Sequence, residues 1–133
     1  MRGRGHMLTA TIEAFLAQDH VAAFTTMRPD GRPHVAPVRF TWDPGSSTAR
    51  VLTRAGTRKA RNAAAGAGSV AVLCQTAGFR WVTLEGRVSL HTGAGRIARA
   101  VELYAARYAA LPPEPPDRVV LEIDVEHVRS LNC

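Results

Sequence analysis

Residues 51–62, Val51-Leu52-Thr53-Arg54-Ala55-Gly56-Thr57-Arg58-Lys59-Ala60-Arg61-Asn62, hold the densest set of groups able to bind an anion. The stretch reads as a short strand, a Gly-containing turn and a helix start. Thr57 suits the N-cap, because its hydroxyl can accept from an amide of the first turn, and the alanines beyond it are strong helix formers. Arg58, Lys59 and Arg61 then crowd that first turn. The helix dipole is positive there, so each cation costs roughly a few tenths of a kcal/mol. An anion between them reverses that cost. Free amides at a helix start, with Lys and Arg side chains, make a phosphate site. A solvated basic helix end is the alternative reading of the same residues.

Other chemistry is poorly supplied. No Ser–His–Asp, Cys–His or paired-carboxylate constellation is visible. His34 and His91 fall at strand ends, and His20 and His127 in or beside strands. Structural or solvent-facing roles suit each of them better than catalysis. No His-x-x-x-His or His/Cys spacing points to a metal. The two cysteines, Cys74 and Cys133, suggest neither a disulfide framework nor a metal site, and Cys74 reads as a small core residue.

The chain has 133 residues, suited to one domain with a single core. Its formal net charge is +6, carried almost wholly by arginine, since Lys59 is the sole lysine. Arginine favours bidentate contacts to phosphate and carboxylate, though abundant Ala, Gly, Arg and Pro also fit a GC-rich genome. Charge alone raises nucleic acid as a partner. At 6% aromatic content there is no stacking platform between the basic residues, so no nucleic-acid role is expected. No apolar run approaches a membrane span and the basic start lacks a signal-peptide core, so no membrane association and a cytoplasmic location are expected. Residues 1–7 read as a flexible lead or cloning remnant, leaving 8–133 as the folded domain.

The elements follow from periodicity and turn chemistry. Thr9 to Gln18 predicts a short helix with Ile12, Phe15 and Leu16 on one face and Thr9 or Thr11 as cap. His20 to Thr26 predicts a strand, and Arg28-Pro29-Asp30-Gly31-Arg32-Pro33 a turn. His34 to Trp42 predicts the next strand, with Pro37 marking an edge or a bulge because it cannot donate to a ladder. Ala49–Thr53, Ser69–Gln75, Trp81–His91 and Val119–Val128 read as further strands. Gly86 interrupts an apolar face and marks a bulge or a barrel corner. Gly95 to Leu111 is an amphipathic helix with Ile97, Val101, Tyr104 and Tyr108 inward. Pro112 to Pro116 is a stiff connector. Six strands at hairpin spacing, with a few helices, predict a mainly β fold: a six-stranded antiparallel barrel with peripheral helices.

This order of elements and four segments together resemble the split β-barrel, FMN-binding superfamily of pyridoxamine 5′-phosphate oxidase. The segments are Met27-Arg28-Pro29-Asp30-Gly31-Arg32-Pro33-His34-Val35, Pro37-Val38-Arg39-Phe40, Thr53 through Lys59 to Asn62, and Arg80-Trp81-Val82-Thr83-Leu84-Glu85-Gly86-Arg87. Within it the chain is similar to the actinobacterial branch that uses the deazaflavin coenzyme F420. Residues 78–87 and Tyr104-Ala-Ala-Arg107-Tyr108 look most like the F420-dependent biliverdin reductases. Arg39 departs from the aromatic residue that this branch often carries after Pro-Val.

The resemblance implies an oxidoreductase that passes a hydride from F420H2 to a conjugated acceptor, biliverdin above all. It implies a cofactor phosphate held by Thr57, Arg58, Lys59 and Asn62, with Thr53 also in reach. Pro37, Val38 and the Arg39 backbone would lie along the deazaflavin ring, and Arg54 and Arg61 near the polyglutamate tail. It implies a homodimer in which Gln75, Arg80 and Trp81 reach the site of the other chain. Arg39, Arg80 and Arg87 are the candidates for the acceptor's propionates. An FMN enzyme of the same fold is one alternative, and a non-catalytic heme or tetrapyrrole binder is another. The C-terminal Arg-x-His segment with which pyridoxamine-phosphate oxidases hold their substrate is absent.

Overall fold

The computed structural model describes residues 8–66 and 68–133; the expected lead, residues 1–7, lies outside them. In chain order the elements are α1 (Ala10–Leu16), β1 (Ala22–Met27), β2 (Pro33–Val38), β3 (Thr41–Asp43), β4 (Thr48–Arg54), α2 (Arg58–Ala65), β5 (Ser69–Ala77), β6 (Arg80–His91), α3 (Ala94–Tyr108) and β7 (Arg118–Leu131). All strand pairs are antiparallel, in the order β2-β1-β5-β6-β7-β4-β3.

The two edge strands of this sheet, β2 and β3, are consecutive in the chain and separated only by Arg39 and Phe40. A connection that short forces the sheet to curl until its edges meet. Because β2 and β3 do not pair, the result is a barrel split at that seam. Pro37 sits in β2, on the seam edge, where its missing N–H costs no ladder bond.

The strand expected from His34 to Trp42 is therefore two strands, which makes seven rather than six. The cause lies far away in sequence. The Phe40 N–H donates to the Tyr108 hydroxyl at 3.1 Å, and the Phe40 carbonyl accepts from that hydroxyl at 2.8 Å and from the Arg107 guanidinium. Side chains of α3 thus satisfy the peptide groups that a ladder would have used.

The core is the barrel interior. Phe15, Phe24, Phe40, Leu73, Leu84, Leu121 and Ile123 are fully buried in it. α1 plugs one end, capped by Thr9, whose hydroxyl accepts from the Ile12 amide at 3.2 Å. At Gly86 the register shifts between β6 and β7. A Cβ there would stand 1.9 Å from the Asp124 carbonyl oxygen, so only glycine allows this approach.

Candidate functional site

The β4–α2 junction is set by local hydrogen bonds. Thr57 is extended, its hydroxyl accepts from the Ala60 amide at 3.3 Å and donates to the Arg54 carbonyl at 2.9 Å. Its one proton is thereby used, so the 3.1 Å contact between the Thr53 and Thr57 hydroxyls has Thr53 as donor. The cap fixes the first turn of α2 against the end of β4, and Lys59 projects from that turn.

A cleft of about 710 Å³ opens there. Pro37, Val38 and Arg39 from the seam line one part of it, and Leu52, Thr53 and Arg54 of β4 with Lys59 of α2 line another. Tyr104 of α3, the connector residues Pro112, Pro113, Glu114 and Pro115, and Arg118 complete the wall. Arg118 holds the connector in place by donating to the Pro113 carbonyl at 3.0 Å. Asp117 ties it to the β4–α2 turn, accepting from Arg54 at 2.9 Å through its carboxylate and from the Ala55 amide at 2.9 Å through its carbonyl.

Around Lys59 and His34 the charge is one-sided, because the nearby carboxylates of Asp117 and Glu114 are paired with Arg54 and Arg118. Lys59 is half-buried, and burial alone moves its ammonium below the ordinary lysine range. It makes no hydrogen bond or ion pair with any described residue. His34, on β2, is held below the ordinary imidazole range, first by burial and then by the positive charges of Arg28, Lys59 and Arg58. Its Nδ1 is buried without a partner. A desolvated cation and an orphaned imidazole nitrogen, with no acid to answer them, fit a group that brings its own negative charge.

Six residues singled out from sequence thus share the cleft: Pro37, Val38, Arg39, Thr53, Arg54 and Lys59. Four more stand at the helix start with defined partners. Thr57 is the cap; Arg58 donates to Asn62 at 3.4 Å; Arg61 folds back onto the Gly56 carbonyl at 3.2 Å. Asn62 is 1% exposed and donates to the Thr26 hydroxyl at 3.0 Å, which fastens α2 to β1.

The remaining four do not line this cleft. Gln75 is buried, donating to the Phe15 carbonyl at 2.7 Å and accepting from Arg107 at 2.9 Å. The Arg80 guanidinium lies 4.5 Å from the Phe15 ring centroid, at the barrel end closed by α1. Trp81 is half-buried on the opposite face of β6. Arg87 is exposed, donating to the Gly68 carbonyl at 3.3 Å and pairing with Glu126 at 3.5 Å. Arg80 and Arg87 stand on opposite faces of one strand, roughly 23 Å apart along it. The trio Arg39, Arg80 and Arg87 is not assembled within one chain.

Sequence reasoning missed His34, Leu52, Tyr104, Arg118 and the proline wall as parts of this corner. For His34 a signal existed: it sits in the same turn-to-strand segment as Arg28. For Tyr104 the helical stripe gave an inward face but not what it faces. Among the described residues no group of His, Cys, Asp and Glu is placed to hold a metal ion, and no helix is long and apolar enough to cross a membrane.

Comparison with known proteins agrees with this architecture. A profile described as pyridoxamine 5′-phosphate oxidase matches residues 8–132. The chain is 44% identical over 115 residues to an F420H2-dependent biliverdin reductase of Mycobacterium tuberculosis, covering 86% of this chain and 82% of that protein. Among solved structures it superposes on an F420 reductase with a TM-score of 0.69 at 25% identity, covering 88% of this chain and 94% of the other. HupZ of Group A Streptococcus shares the fold, with a TM-score of 0.73 at 17% identity and 94% of each chain covered. On the strength of the profile and of the mycobacterial relative, the chain belongs to the pyridoxamine 5′-phosphate oxidase family.

Proposed function

We propose that this protein is an F420H2-dependent reductase of a conjugated acceptor, with biliverdin as the leading candidate. The observation that carries the reading is the cleft that joins an unpartnered, half-buried Lys59 to the seam residues Pro37, Val38 and Arg39. The names of the 44% identical mycobacterial relative and of the F420 reductase structure support deazaflavin over FMN. Thr57 fixes the first turn of α2, from which Lys59 and Arg58 answer the cofactor phosphate. Asn62 keeps that helix on the barrel, and Arg54 and Arg61 flank the route of an anionic tail. When bound, the reduced deazaflavin supplies a hydride; the protein's own part is to hold the acceptor against it and to exclude water. The prolines of the 112–115 wall give a dry, stiff surface suited to a flat conjugated ring system.

The working unit in this reading is a cytoplasmic homodimer. Val35 (60% exposed), Phe79 (87%) and Leu131 (46%) leave apolar surface on β2, the β5–β6 turn and the end of β7. Burial of such residues against a second copy is favourable at about 25 cal/mol per Å² of apolar area. Across that interface Gln75, Arg80 and Trp81 would approach the partner's cleft.

The test is an assay of F420H2 oxidation with biliverdin, run beside FMN and NADPH controls. Oxidation of F420H2 with growth of bilirubin absorbance supports the reading in full. F420 binding without turnover of biliverdin retains the cofactor and transfers the question to other acceptors. Tight FMN or heme binding without F420 binding overturns it.

A further inference from the structure

We infer that the Tyr104 hydroxyl and the Arg39 guanidinium form a carboxylate receptor at one end of the cleft, an inference that rests on the reductase reading above. Arg39 occupies the two-residue gap between β2 and β3, where no ladder constrains it. Two aromatic rings hold it instead. Its guanidinium carbon is 4.8 Å from the Tyr108 ring centroid and 5.9 Å from that of Tyr104, and the two rings are 4.7 Å apart and tilted by 46°. Arg39 also donates to the Tyr104 hydroxyl at 2.8 Å. No described carboxylate pairs with it; Asp19 acts only through its longer-range field. A guanidinium stacked and aimed but unpaired is a preset anion site, because little rotamer entropy remains to be lost on binding.

Hydrogen-bond accounting separates the two tyrosines. Tyr108 has spent its proton on the Phe40 carbonyl and accepts from the Phe40 amide, so it offers only its ring. Tyr104 merely accepts from Arg39, and its own O–H is uncommitted. Both Arg39 and Tyr104 line the cleft. A carboxylate can therefore take a guanidinium N–H and the Tyr104 O–H together, while the apolar body attached to it lies against Leu52 and the proline wall. Tyr104 thus takes the place that the sequence reading gave to Arg80 and Arg87. The carboxylate belongs either to the acceptor or to a glutamate of the cofactor tail, and affinity measurements separate the two.

Quenching of tryptophan fluorescence gives the affinity of wild type, Tyr104→Phe and Tyr108→Phe for biliverdin and for its dimethyl ester. A parallel titration compares F420 with a deazaflavin lacking the tail. The expected result is a wild-type preference for the diacid that Tyr104→Phe reduces roughly tenfold, with ester affinity unchanged. Tyr108→Phe lowers the melting temperature but keeps the preference. Loss of the preference for tailed F420 instead assigns the receptor to the cofactor's carboxylates. Retention of both preferences in Tyr104→Phe, or their absence in wild type, overturns the inference. Diacid preference in wild type without any F420 binding leaves the receptor standing and removes the reductase reading.

Discussion

Lys59 is the residue on which the functional reading turns, and its energetics are unusual for a surface helix. Half-burial without a counter-charge works against folding, so Lys59→Ala is expected to leave the melting temperature unchanged or slightly higher. The same change should weaken F420 binding by more than about tenfold, since it removes a charge-assisted bond to phosphate. Fluorescence titration and a thermal melt on one preparation check both halves; unchanged affinity would withdraw Lys59 from the phosphate site. His34 supplies a pH signature from the same corner. Its folded pKa is depressed by burial and by three neighbouring cations. Below about pH 6.5 the unfolded chain takes up the proton that the folded chain resists. Stability contributed by neutral His34 is therefore complete above that pH and lost as pH falls through the depressed folded value. His34→Asn should flatten this acid limb in urea melts collected across the range. A bound phosphate should flatten it too, by drawing the imidazole back toward the charged form.

At the scale of elements, the seam and the bulge shape the barrel, and each rests on one replaceable group. Tyr108→Phe strips the Phe40 peptide of its hydroxyl partner while Arg107 still reaches the carbonyl. The buried amide left unpaired should cost about 1–3 kcal/mol in chemical denaturation. Gly86→Ala drives a methyl into the Asp124 carbonyl and should exceed that loss, with β6 and β7 forced apart at their register shift. Gly86 was legible in sequence as the one break in an apolar face, Thr57 was legible as a cap from local hydrogen-bond chemistry, and Thr9 was one of two candidate caps, chosen over Thr11 by the fold. The seam was not. Val38, Phe40 and Trp42 alternate as one strand would, and what divides it is a pair of side chains some 68 positions later in the chain. Local pattern cannot report a partner at that distance. The proline wall was visible as a stiff connector, yet its role as a side of the cleft depends on Asp117 and Arg118 pinning it to β4 and to itself. Arg107 is not among the inward residues that periodicity assigned to α3. It nevertheless runs its guanidinium inward to the Gln18 and Phe40 carbonyls and Gln75, and burial holds it below the ordinary arginine range.

On the scale of the whole molecule, the candidate residues divide into two groups that one chain does not bring together. Lys59, Thr53 and the seam face one cleft, whereas Trp81 stands half-buried on the outer face of β6, beside Leu131 on β7. A two-fold dimer reconciles them if the outer face of one copy closes the cleft of the other, because an isologous interface sends the same residues in both directions. This gives a test that does not depend on seeing the dimer. Lys59→Ala and Trp81→Ala should each abolish or sharply reduce F420H2 oxidation as pure proteins. Mixed and allowed to exchange subunits, half of the dimers carry one copy of each variant. In those dimers one cleft gathers both lesions and the other is intact, so about a quarter of the wild-type activity should return. Recovery that rises with the time allowed for exchange, and that covalent cross-linking before mixing prevents, would place Trp81 in the partner's site. Absence of recovery despite proven exchange would confine each site to one chain and leave Trp81 as barrel surface.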